Sequence, residues 1–279
     1  MSHSENLRSG SLSFFFYQLA EGARRQSNVI FALIFRDLKN RSGDEYGMLS
    51  LVGIVIEPAI SVLSLAAFWY ILRRQDIDGI PVLLFLSVSV IPFTMVRRSL
   101  ASIPRTVKTA RAFFAFPNVK PFDAIVAQFI MEFTLTLFGA FLLLFMMGWF
   151  LGYTVLTNRI LECLMILGLI TIASFGISLF LGIYSNRYPL LASFISLMSR
   201  VLMLISAVMH PAAHLPVVAQ DVLVLNPLAH AMELLRYYAL GMKPFHGASL
   251  SFLTMFSLSS LSIGFIAYYA NRKSIIELR

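Results

Sequence analysis

Few side chains in this sequence could do chemistry, and the setting of those few is informative. Glu57 lies inside a long apolar stretch and is followed by Pro58. An ionisable group within a membrane span costs at least ~2.5 kcal/mol on insertion scales, so it predicts a functional role, as a lining of a pathway or as one half of an ion pair. Arg200, inside a later apolar stretch, is the partner the sequence offers. The plainer alternative is a carboxylate in a wet interior, nearer the surface. Pro58 interrupts the helical hydrogen-bond ladder and predicts a kink. Further along, His210 and His214 stand four apart, and His230 and Glu233 three apart. Such spacings can present two ligands to a metal from one helix face. Pro211 and Pro216 work against a helix carrying the first pair, and no further histidine or carboxylate joins the second. Both pairs therefore also read as polar residues of a loop.

A phosphate-gripping loop requires lysine after glycine in the pattern Gly-x-x-x-x-Gly-Lys-Ser/Thr. The five lysines here follow Leu38, Val107, Val119, Met242 and Arg272, so no such loop exists in this sequence. If the protein uses ATP, the nucleotide and its Mg must be bound by another chain. The lone Cys163 makes no intrachain disulfide and no thiolate metal site.

The elements that must position these residues follow from composition. Of 279 residues, 58% are hydrophobic and only 13% charged, against roughly 25% charged in soluble domains. The mean hydropathy is +0.79. Lipid must be the solvent for much of such a chain. A spanning helix needs about 20 mainly apolar residues. Six stretches are predicted to cross: Met48–Leu72, Ile80–Val96, Ile125–Phe150, Ile160–Ile183, Leu190–Met209 and Ser249–Ala270. Sixteen of the 22 basic residues then fall on one side with both termini and five on the other, with Arg200 inside a span. Basic residues collect in the cytoplasm, so both termini are predicted to be cytoplasmic. The net charge of +8 is this bias facing anionic lipid, and no basic run carries a nucleic-acid motif. Leu12–Leu19 is too short, and too close to Glu5, for a cleaved leader, so the amino terminus is expected to remain.

Three segments are not simple spans. Residues 27–41 repeat Ile30, Phe31, Ile34, Phe35 and Leu38 at helical spacing, with polar residues elsewhere, predicting an amphipathic helix in the membrane interface or against a soluble partner. Residues 97–123 form the longest cytoplasmic loop, basic yet dotted with aromatics, with a short helix expected between Ile103 and Phe114. Pro117 and Pro121 then set the chain up to re-enter the membrane. Residues 210–247 hold four prolines and two apolar pieces, Val217–Leu225 and Leu228–Leu240, too short to cross. A re-entrant pair of short helices fits that pattern, since irregular backbone at membrane depth must be buried in protein or line a cavity. A loose surface loop is the alternative. The fold class is thus all-α integral membrane: a single permease domain with six transmembrane helices across 48–270, an N-terminal interfacial helix and a re-entrant outer segment between spans five and six.

These residues carry a resemblance. Ala32 through Arg41, with Ile56-Glu57-Pro58 inside the first span, looks like the permeases of the type-2 export class of ABC transporters. More specific are Phe116 through Asp123 before the third span, His214-Leu215-Pro216, Leu225 through His230, and Glu233-Leu234-Leu235-Arg236. These resemble the inner-membrane permeases of Gram-negative capsular-polysaccharide export, with O-antigen permeases as close cousins, over nearly the whole chain.

The resemblance implies a homodimer in the bacterial inner membrane, driven by a separate ATPase subunit and serving periplasmic and outer-membrane polysaccharide export proteins. It implies that Arg105, Lys108, Arg111 and Phe113 form the coupling element. Glu57, Pro58, His230, Glu233 and Arg236 would belong to the translocation pathway or gate. Arg36, Asp37, Lys39 and Arg41 would belong to the interfacial helix, in contact with membrane lipids. No cofactor, metal or catalytic residue is expected in this chain. The competing readings are an exporter of the same fold for another substrate (O-antigen, lipid, teichoic acid or drug), a secondary transporter relying on Glu57, and a membrane metalloenzyme built on His210, His214, His230 and Glu233.

Overall fold

The computed structural model describes residues 3–42, 47–72, 76–110, 119–153 and 159–277. Within lipid every backbone N–H and C=O must be satisfied inside its own segment, which for an open chain means helix. The helices are α1 (His3–Ser42), α2 (Gly47–Ile71), α3 (Val82–Thr109), α4 (Pro121–Leu151), α5 (Ile160–Arg187), α6 (Pro189–Ile205), α7 (Val217–Leu223), α8 (Pro227–Leu240) and α9 (Leu250–Glu277). Four of them, α3, α4, α5 and α9, contain stretches long and apolar enough to cross a membrane, and α2 contributes the shorter apolar stretch Val55–Ile71. The protein is an all-α multi-pass membrane protein. Its strands are confined, among the described residues, to a hairpin pairing Asp76↔Pro81 and Ile77↔Ile80. Asp78 (φ 53°) and Gly79 (φ 79°) at its tip adopt the left-handed conformation that two-residue hairpins require.

α3 is the hub. It packs against α2, α4, α5, α6 and α8, and Phe85, Leu86, Val90 and Phe93 are buried along it. The sequence predicts that this helix ends at Val96, but it runs on to Thr109. Arg97 and Arg98 look like the polar flank of a span. The apolar repeat nevertheless continues through Val96, Leu100, Ile103 and Val107, and the last two pack against Ile125, Phe129, Leu179 and Ile183. The loop predicted over 97–123 is therefore helical for half its length. The separate helix expected from Ile103 is the end of α3, and Arg111, Phe113 and Phe114 lie outside the described residues. Asp123, predicted as the end of that loop, belongs to α4. Its carboxylate accepts the Lys120 N–H at 3.0 Å, and Pro121 occupies the first helical position, where a missing N–H costs nothing.

α1 is also longer than predicted, starting at His3 rather than residue 27. Gly10 and Gly22 each weaken a helix by only about 1 kcal/mol, and no proline occurs before Pro58 to stop it. Its apolar residues divide. Leu33, with Val29, Ile30 and Ile34, packs on Ala110 and on Ala124 and Ala127 of α4, whereas Phe31 and Phe35 point outward.

Helices α5 and α9 pack backbone against backbone. A Cβ on Gly176 would lie 2.4 Å from the Ser260 carbonyl carbon, and one on Gly264 would lie 2.5 Å from the Gly176 oxygen. Small residues let membrane helices approach to this distance. Ser257 and Ser260 also donate across the seam to the carbonyls of Leu169 (3.0 Å) and Ala173 (3.2 Å). Gly139 of α4 meets α2 in the same way, 2.3 Å from the Val55 oxygen if a Cβ were present.

After α6 the chain turns at Ala207, a non-glycine residue at φ 52°. This ends the helix at Ile205, short of the predicted Met209. A 3₁₀ turn (Ala212–His214) leads into the short helices α7 and α8. Asn226 caps α8 by accepting the Leu228 N–H at 3.0 Å, and Gly241 stops it at φ 73°.

Candidate functional site

Two polar clusters lie at different heights along α3. The one farther from the hairpin is built on Glu57 of α2. Helical spacing brings Arg97 and Arg98 of α3 to opposite sides of it: Arg97 donates to one carboxylate oxygen and Arg98 to the other, with Arg98 Nε at 3.1 Å. Among the described side chains, the partners of Glu57 are Arg97 and Arg98. Arg200 lies on α6, while α2 packs on α3 and α4. Arg98 also reaches Thr136 of α4 at 3.4 Å, and Thr136 donates to the Glu132 carbonyl at 2.8 Å. One turn away, the Glu132 carboxylate accepts from Gln128 (2.8 Å) and from Arg41 of α1 (3.1 Å). Nearer the start of α4, Gln26 of α1 donates to Asp123 at 2.8 Å. Four helices are thus joined by hydrogen bonds with charged partners. These are stronger than neutral ones and stronger still where water is scarce. Arg98 is nearly buried, its side chain 8% exposed, but Arg97 and Glu57 remain 38% and 37% exposed.

The second cluster joins the outer segment to the hairpin end of α3. Arg236, 1% exposed, donates to Glu233 (2.7 Å), to Ser89 of α3 (2.8 Å), and to the carbonyls of Ala207, Val208 (3.0 Å) and His210 (3.4 Å). Its guanidinium carbon lies 4.1 Å from the centre of the Phe85 ring. Glu233 in turn accepts from the backbone of Ala212 (3.0 Å) and Phe245 (3.4 Å). The carbonyls that Arg236 binds belong to the turn containing left-handed Ala207, so the guanidinium holds the turn that the local backbone disfavours. His230, one turn before Glu233, contacts Val224 O through Nε2 at 2.8 Å and accepts the Ser249 N–H on Nδ1 at 2.9 Å, while its ring stacks on Phe252.

The predicted site residues therefore fall in distinct places. His230, Glu233 and Arg236 come together on α8, buried and engaged by their own chain. His214 instead faces Asp78 of the hairpin at 3.1 Å. Among the described residues, no three His, Cys, Asp or Glu side chains are grouped to hold a metal. Glu57 sits in the other cluster. Pro58 is buried within α2 against Gly139 of α4. Arg105 is exposed near the end of α3, and Lys108 is in its last turn. Arg36 pairs with the adjacent Asp37 at 2.7 Å, Lys39 lies in the last turn of α1, and Arg41 reaches α4. Sequence reasoning missed Arg97 and Arg98 as residues of the long apolar helix α3, and Ser89, Gln128, Glu132 and Thr136 as polar partners. The unbroken apolar repeat after Val96 was the available signal.

Among the described residues these two clusters hold no nucleophile activated by a base, and the sequence carries no Gly-Lys-Ser/Thr nucleotide-binding loop. It offers ionic ties among apolar helices, which suits a membrane permease whose energy comes from elsewhere. Residues 28–240 match the ABC-2 type transporter family, and the chain belongs to that family of membrane permeases, which work with an ATPase subunit. It is similar to two forms of the polysialic acid transport protein KpsM of Escherichia coli. One is 29% identical over 258 residues and the other 27% over 260, each alignment covering 91% of this chain and 98% of the relative.

Proposed function

We propose that this chain is the permease of an exporter that moves a capsular or related cell-surface polysaccharide across the bacterial inner membrane. The observation that carries this reading is the similarity to polysialic acid transport proteins over nearly the full length of both chains. In this reading, α2, α3, α4, α5, α6 and α9 are six spans with both termini cytoplasmic, and the distribution of basic residues, fourteen to five with Arg97, Arg98 and Arg200 inside spans, supports that orientation. Two copies pair, the polymer passes between them, and the outer segment with α7 and α8 shapes the exit. ATP and Mg bind the partner subunit. Its closure is felt at Arg105 and Lys108 at the cytoplasmic end of α3, and at Arg111 and Phe113 just beyond. Binding energy in one protein then biases two arrangements of another. Periplasmic and outer-membrane export proteins receive the chain.

The test is deletion of the gene in the native host, complemented with the wild-type sequence or with Arg105→Glu. Loss of surface polysaccharide on deletion, with cytoplasmic accumulation of polymer, is expected. Arg105→Glu should leave ATP hydrolysis by the co-purified ATPase intact while export falls. Unchanged surface polysaccharide in the deletion strain would refute the function, and unchanged export by Arg105→Glu would refute its coupling role.

A further inference from the structure

Helices α4 and α5 both pack along α3 but scarcely on each other. Between them lies a groove of about 370 Å³, with α3 as its floor and Leu235 and Ala239 of α8 toward the hairpin end. From Leu84 to Val96 every residue of α3 is buried except Val88 and Ile91, and both line this groove. The walls are apolar. Their two hydroxyls are already engaged by their own helices: Ser87 donates to the Leu83 carbonyl at 2.7 Å and Thr136 to the Glu132 carbonyl at 2.8 Å. Such a surface suits hydrocarbon, whereas the polar groups of a hydroxylated polymer would go unpaired against it.

The groove has the length of a lipid chain. Its lining runs from Ser87 to Met95 on α3, from Thr136 to Leu144 on α4 and from Ile160 to Leu167 on α5. At 1.5 Å per residue these are runs of about 10–12 Å. One leaflet contributes about 15 Å to a hydrocarbon core of ~30 Å. α3 leads away from the hairpin, α4 returns and α5 leads away again. Ser87, Leu144 and Ile160 therefore lie toward the hairpin end, and Met95, Thr136 and Leu167 lie deep.

A cation stands at the mouth. Arg159 and Tyr238 immediately precede Ile160 and Ala239, which both line the groove. Arg159 is exposed, with its guanidinium carbon 5.4 Å from the centre of the Tyr237 ring and 5.8 Å from that of Tyr238. The two rings meet edge to face, 4.9 Å apart. Cation–aromatic attraction holds the guanidinium at this place, and tyrosine rings favour the headgroup level of a bilayer. A planar fork with five N–H donors can keep such contacts and still bind a phosphate oxygen.

We infer that this groove holds one acyl chain of a bilayer phospholipid, with the lipid phosphate at Arg159. The inference goes beyond the export function and takes from it only the orientation, which puts the groove in the periplasmic leaflet. There the lipid chain supplies the packing that α4 and α5 do not give each other.

The test uses the intact permease–ATPase complex in nanodiscs that contain a phosphatidylethanolamine with a photoactivatable diazirine midway along one acyl chain. After illumination, labelled peptides are mapped by mass spectrometry. Label concentrated on residues 136–144 and 160–167 is expected. Ala140→Phe and Cys163→Trp each fill the groove with side chain, and each should abolish that label while label elsewhere on the chain is unchanged. The two substitutions lie on opposite walls, so one serves if the other does not assemble. Arg159→Gln removes the phosphate contact and should reduce the groove label roughly 2- to 5-fold, the scale of an exposed ion pair.

Label spread alike over all lipid-facing helices, and unaltered by either filling variant, would make this ordinary solvating lipid and overturn the inference. Cross-linking through Cys163 between two copies, without lipid label in the groove, would give the groove to the second copy and overturn it as well. Full label in Arg159→Gln would overturn the assignment of the phosphate. None of these results bears on export, which the deletion strain tests separately.

Discussion

Replacing Arg236 with methionine gives the sharpest test of the second cluster. Methionine keeps most of the side-chain volume and its place over Phe85. It removes every donor to Glu233, Ser89 and the carbonyls of Ala207, Val208 and His210. Breaking one side of a buried ion pair costs about 3–5 kcal/mol, because the remaining charge is left uncompensated. Glu233 keeps the N–H groups of Ala212 and Phe245. Those soften the loss without cancelling it.

At about 2–4 °C per kcal/mol, the scale for chains of 150–250 residues, the expected fall in the temperature at which detergent-solubilised protein loses its monodisperse peak is about 6–20 °C. Converting Glu233 to methionine as well removes the orphaned charge and should recover part of that loss. Recovery would be incomplete, because the Ala207 and Val208 carbonyls still lack donors, at about 1–3 kcal/mol each. Ser89→Ala removes one of several partners and should cost less than either. An Arg236→Met protein that melts within ~2 °C of the parent would refute the assignment of this guanidinium as the clasp between outer segment and α3.

Two glycines on one helix make an internal comparison. Gly176→Ala puts a methyl group 2.4 Å from backbone atoms of α9 and should sharply reduce the yield of folded protein. Gly168→Ala meets nothing within 4 Å and should be neutral, or stabilising by up to ~1 kcal/mol. The six-span arrangement predicts that, in a variant lacking Cys163, cysteines introduced at Asp78 and Val218 react with an impermeant reagent applied from the periplasm. A cysteine introduced at Arg187 should react only after the membrane is opened, and the reverse pattern would sink the orientation.

Much of the fold is legible from apolar run length alone, because lipid forces an apolar run to become a helix. What misled was the meaning of charge at a run's edge. Arg97 and Arg98 look like a cytoplasmic flank, yet the repeat at Val96, Leu100, Ile103 and Val107 carries the helix onward and keeps them beside Glu57. The same ambiguity hides two partners of Glu57: by sequence Arg200 is the lone cation inside a span, while Arg97 and Arg98 read as lying outside one. The Glu233–Arg236 pair is legible, since spacing of three on a helix brings the two together. Ser89, 147 positions away in sequence, is not, because only tertiary packing brings it to Arg236. The length of α1 was hidden because propensity says where a helix is permitted, and only the absence of a stop signal says how far it goes.

The α5–α9 seam has a mechanical consequence. Backbones in direct contact, cross-linked by serine hydroxyls, cannot slide by even a fraction of a turn without steric collision. The two helices must therefore travel as one stiff strut. Beside them, α6 stands over an apolar cavity of about 400 Å³ bounded by Leu100, Ile177, Phe194 and Leu253. A displacement of either helix is thus passed whole to the other, and α6 packs on this pair through α5.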